Sequence, residues 1–103
     1  MNRERVLEAV YRKASELLKD ESPVAGSSNC HAAAQIVASG EHRSVVICLI
    51  QAERSFKAFK STVSDDMSVS VTSQSPFCDE NDALTYWGNY LFEEVDKVKL
   101  SVE

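Results

Sequence analysis

Between residues 2 and 20 the apolar positions recur at helical spacing. Val6, Leu7, Val10, Ala14, Leu17 and Leu18 fall on one face, and Glu4, Glu8, Arg12 and Glu16 on the other. Glu8 and Arg12 stand in the favourable order for an i,i+4 pair. This stretch predicts an amphipathic helix that needs a surface to cover, because a short helix is marginal alone. Pro23 and the run Gly26-Ser27-Ser28 end it. Residues 30–38 then predict a second, short helix. Ser28 or Asn29 would cap its start, and Gly40 would close its C-terminal end.

The pattern changes at "RSVVICLIQ". Val45 to Ile50 are apolar without alternation, as in a strand buried on both faces. In "MSVSVTS", Met67, Val69 and Val71 alternate with Ser68, Ser70 and Thr72, which predicts a strand with one wet face. Residues 52–63 carry both signals. Ala52, Phe56, Phe59 and Val63 fit a helix, whereas Phe56 and Ala58 fit a strand whose alternation Phe59 interrupts. A hairpin with 44–51 is the preferred reading, and the helix stays open. Residues 80–97 predict a last helix, capped by Asp79 or Asn81. Leu84, Trp87, Leu91, Val95 and Val98 form its core stripe, and "VKLSV" at its end could leave it as an extended tail.

These elements predict an α+β domain. A small, mostly antiparallel sheet of about three strands packs against two N-terminal helices and one C-terminal helix, with the helices on one face. A chain of 103 residues predicts a single domain, and its 44% apolar share can supply a core.

The net charge of −5 is unevenly placed. Residues 1–78 balance nine acids with nine bases, whereas 79–103 hold seven acids and two bases. This balance argues against binding nucleic acid through its phosphates. It favours a protein partner of basic character, although solubility alone explains it too. The longest uncharged apolar run, "VVICLI", is too short to cross a bilayer, so no membrane partner is expected. Three cysteines, Cys30, Cys48 and Cys78, and no signal-peptide pattern at the start imply a reducing, cytoplasmic setting.

Candidate chemistry centres on Cys30. At a helix start the dipole would lower a thiol's pKa and activate it. The stretch "GSSNCHAAA" resembles in outline the start of the nucleophile helix in papain-like and deamidase families, over about ten residues. That resemblance implies a cysteine nucleophile with a histidine base. His31 is adjacent and would face elsewhere, so the base would be His42. The competing reading is a core thiol, since Cys30, Ala33, Ala34 and Val37 would share one helical face. No C-x-x-C or H-x-x-x-H spacing supports a metal site. The zinc-deaminase pattern has Ala33 where its glutamate belongs. No Gly-rich phosphate loop occurs. No metal or cofactor is therefore expected.

A second candidate is an aromatic and acidic surface on the last helix. Tyr86, Tyr90 and Phe92 lie off its core stripe, beside Glu93, Glu94 and Asp96. Such a patch would suit partner binding or a homodimer, unless the domain wraps the helix and buries the aromatics. The sequence thus points to a small acidic protein-binding module, such as an adaptor, inhibitor, or immunity- or phage-type regulator. A thiol enzyme using Cys30 and His42 is the alternative.

Overall fold

The computed structural model describes residues 2–20, 30–52, 55–87 and 96–99, and for Asp20, Cys30, Ala52, Tyr86, Trp87 and 96–99 it describes the backbone. Helix α1 (Arg3–Asp20) precedes four strands, β1 (Cys30–Ser39), β2 (Arg43–Ala52), β3 (Ser55–Ser64) and β4 (Val69–Gln74). Helix α2 (Glu80–Trp87) and strand β5 (Asp96–Lys99) follow. The strands form one sheet in the order β4-β3-β2-β1-β5. Every pairing is antiparallel.

Helix α1 forms where the apolar spacing places it. The Asn2 side-chain oxygen accepts the Arg5 N–H at 3.2 Å and caps the first turn. Val6, Leu7, Val10, Ala14 and Leu18 are buried against Ala32, Ala34, Val46, Cys48, Ile50, Phe59 and Val63 of the sheet. The charged face stays in water, with the Arg12 guanidinium 2.8 Å from Glu8 as an i,i+4 pair.

The second helix expected at 30–38 is instead β1. Alanine ranks first in helix propensity, so the run Ala32-Ala33-Ala34 favours a helix locally. Tertiary pairing overrides it, because β1 hydrogen-bonds β2 on one side and β5 on the other. Ala32 and Ala34 alternate inward with period two beneath α1, and their methyl groups fit a close helix–sheet approach. Gly40 does not cap a helix. Its N–H donates to the Arg43 carbonyl at 2.7 Å and brackets the two-residue β1–β2 turn, Glu41-His42.

Strand β2 lies at the centre and is buried on both faces. Val46, Cys48 and Ile50 face α1, and Ile47 and Leu49 face away. Strand β3 pairs with it along its whole length, with Cys48 opposite Phe59 and Leu49 opposite Ala58. Phe59 interrupts a one-sided alternation because β3 too is covered on both faces. Phe56 and Ala58 join Ile47, Leu49 and Ala83 of α2 in a second cluster behind the sheet. The helices therefore cover opposite faces rather than one. The α+β class holds, and the described residues form five strands where about three were expected and one helix before the sheet where two were expected.

After β4 the chain stays beside β3. Ser75 N–H donates to the Ala58 carbonyl, and Phe56 and Cys78 exchange backbone hydrogen bonds. The Asp79 carboxylate then accepts the Asp82 N–H at 2.9 Å, so Asp79 is the cap of α2. The helix expected over 80–97 does not run that far. Asp96 begins β5, whose backbone pairs with β1, Ala34 opposite Asp96 and His31 opposite Lys99.

Candidate interaction site

The strand at 30–39 changes the reading of Cys30. Its backbone pairs with Ala52, at one end of the β1–β2 hairpin. His42 lies in the turn at the other end. Nine steps along an extended strand separate Cys30 from Ser39, roughly 30 Å. Cys30 and His42 are not brought together, and no helix start stands at Cys30 to activate its thiol. The partner of His42 is instead Asp65, whose Oδ2 lies 2.9 Å from the imidazole Nδ1. That contact ties the β1–β2 turn to the β3–β4 turn. Both side chains are exposed, so it is worth at most about 1 kcal/mol.

The other cysteines with described side chains are structural. Cys48 is fully buried beneath α1, and burial pushes its thiol pKa far up. Cys78 is half-buried, with its Sγ 3.5 Å from the Phe56 carbonyl. Burial raises its pKa, and the nearby charges of Asp82 and Asp79 raise it further. Among the described residues no three His, Cys, Asp or Glu side chains gather as metal ligands, and no helix is long and apolar enough to cross a membrane.

Of the aromatic and acidic surface expected on the last helix, Tyr90, Phe92, Glu93 and Glu94 lie outside the described residues. Tyr86 belongs to the last turn of α2. Asp96 belongs to β5 and not to that helix.

A groove of about 420 Å³ lies elsewhere, between α1 and the edge strand β4, lined by Arg5, Glu8, Ala9, Arg12, Lys13, Glu16, Met67 and Val69. Its floor is apolar and its helical wall charged. Glu8 pairs with Arg12, and Lys13 with Glu16 at 3.4 Å. Arg5 makes no side-chain ion pair among the described residues.

Met67 reaches the groove from an unusual backbone. The β3–β4 connection is a turn at Asp65-Asp66 followed by Met67 at φ 65°, where glycine is the ordinary choice. The Met67 N–H donates to the Ser64 carbonyl, and the Ser64 N–H to the Ser68 carbonyl. The Asp66 carboxylate accepts the Ser68 N–H at 3.0 Å, and this interaction with Ser68 holds the Asp66 pKa down. A left-handed non-glycine residue costs about 1–2 kcal/mol. In return the Met67 side chain packs on the α1 core and closes the end of the groove.

Beside the groove, no described residue pairs with the outer edge of β4. The Ser64–Ser68 hydrogen bond sets the phase of the ladder. Ser70 therefore bonds Thr62, while the N–H and C=O groups of Val69 and Val71 point away from β3. No charged residue occurs from Met67 to Cys78, although edges are commonly guarded by charge. A bulge opposite Lys60 and Ser61 is the only irregularity along this ladder.

In the sequence α1's outer positions read as a solvated face and β4 as a half-wet strand. The missing signal was topological: nothing local reveals that β4 is terminal in the sheet. Lys57 was likewise passed over. It is buried opposite Ile50, with its ammonium 5.4 Å from the centre of the Phe77 ring.

Compared with known protein families, curated proteins and solved structures, the chain matches no family model, no curated protein and no solved structure.

Proposed function

We propose that this chain is a small, non-catalytic protein-binding module that acts by occupying a partner's surface, as an adaptor, inhibitor or immunity- or phage-type regulator does. The observation that carries the reading is the uncharged edge of β4 beside the α1 groove, unpaired among the described residues. An extended strand can add to such an edge through main-chain hydrogen bonds, while the groove takes its side chains. The acid excess of 79–103 favours a partner with basic character. The thiol-enzyme alternative loses its support from the separation of Cys30 and His42.

The test is purification of the chain with its bound proteins from its native host, then reconstitution with each recovered protein. The expected result is direct binding at fixed stoichiometry, weakened by Val71→Pro, which removes an outward N–H. Failure of every recovered protein to bind the purified chain directly would overturn the reading.

A further inference from the structure

We infer that the α1–β4 side of the molecule pairs with a second copy of the same chain about a two-fold axis, joining two sheets edge to edge through β4. This inference rests on the reading of β4 as a binding edge, and it names the occupant.

Two features support a second copy over an unrelated strand. The first is geometric. Identical antiparallel strands are self-complementary, so β4 and its symmetry mate can exchange the outward N–H and C=O groups of Val69 and Val71. An edge without charged residues places no like charges across such an axis.

The second feature is the order of charges on α1. Along the groove Arg5, Glu8, Arg12, Lys13 and Glu16 read plus, minus, plus, plus, minus, so the two ends carry opposite signs. Turn this stripe about a two-fold axis opposite the midpoint between Val10 and Tyr11. Arg5 then faces the partner's Glu16, because eleven residues are about three turns and leave both on the same side of the seam. Each of these two charges meets its opposite, and the contact occurs twice in the dimer. Arg5, Glu8 and Glu16 are exposed in the single chain. The pairs that Glu8 and Glu16 make there are surface i,i+4 and i,i+3 contacts worth a few tenths of a kcal/mol, so exchange across the axis costs little.

The experiment is sedimentation velocity of the whole chain over a concentration series, in low and high salt. The wild type is expected to dimerise, more weakly at high salt. Arg5→Glu and Glu16→Arg are each expected to weaken dimerisation roughly tenfold, because each places like charges opposite one another twice. The double variant Arg5→Glu/Glu16→Arg restores opposite signs and is expected to recover most of the affinity. Both positions are on the solvated face of α1, so circular dichroism should show each variant folded. A wild type that stays monomeric throughout overturns self-pairing. So does a double variant no better than the singles. If the monomer still binds a different protein and Val71→Pro abolishes that binding, the binding-edge reading survives and only the second copy is wrong. If neither occurs, both fall.

Discussion

Ser70 faces Thr62 across the β3–β4 ladder, and this register turns the amides of the neighbouring Val69 and Val71 out of the sheet. A proline therefore has opposite meanings at adjacent positions. Ser70→Pro removes a ladder donor and leaves a carbonyl of β3 without its partner. Val71→Pro removes a group that no described residue of the single chain uses. Urea denaturation should show Ser70→Pro roughly 1–3 kcal/mol less stable than Val71→Pro. Equal losses would mean that the phase of the ladder is misassigned.

Among the described residues Phe59 is the largest fully buried side chain, and it packs against α1 from the centre of β3. Phe59→Ala should cost about 3–5 kcal/mol, because it leaves a cavity between the helix and the sheet. Phe56, half-buried on the α2 side, should cost less when truncated. Thermal or chemical denaturation of the two variants tests this order.

The thiols should differ in reactivity. Cys48 is expected to resist iodoacetamide until the protein unfolds globally, because burial keeps it protonated and out of reach. Cys78 should react slowly in the folded state. Asp82→Asn should speed it at a given pH, since one of the charges that raise its pKa is removed. Peptide mapping by mass spectrometry after timed alkylation separates the sites. Modification of Cys48 faster than global unfolding would contradict its placement.

Asp66 contributes through its ionised form. Its pKa in the fold is depressed, first by the hydrogen bond with the Ser68 side chain and then by that with the Ser68 backbone N–H. The contribution is therefore present above the ordinary carboxylate pKa and is lost as pH falls through the depressed value. Wild type and Asp66→Asn should differ in stability near neutral pH and converge in acid. A difference that grows as pH falls would have the wrong sign.

Much of this fold was legible wherever a residue pattern is decided locally. Val6, Val10, Ala14 and Leu18 marked α1, and unbroken apolar Val46 to Ile50 marked the central strand. Val69 and Val71 marked the half-buried face of β4. Reading failed where neighbours decide. Ala32 to Ala34 favour a helix by themselves and become a strand only between β2 and β5. Phe56 and Phe59 looked inconsistent because one-sided burial was assumed, whereas α1 and α2 cover both faces. The Cys30–His42 pair fails likewise: it requires a helix start at Cys30 with the strand after His42 packed beside it, and a ten-residue strand holds the two positions apart. The groove was invisible for a related reason, since Arg5 and Glu16 meet Met67 only through tertiary packing.

The central claim is that the outward amides of β4 are the contact surface, and amide hydrogen exchange reads it residue by residue. In dilute solution Val69 and Val71 should exchange fast, while Ser70 between them is protected. At concentrations where the chain self-associates, Val69 and Val71 should become protected and the amides of β2 should not change. Val69 and Val71 amides that exchange equally fast at every concentration, in a sample shown to be dimeric, would contradict the claim.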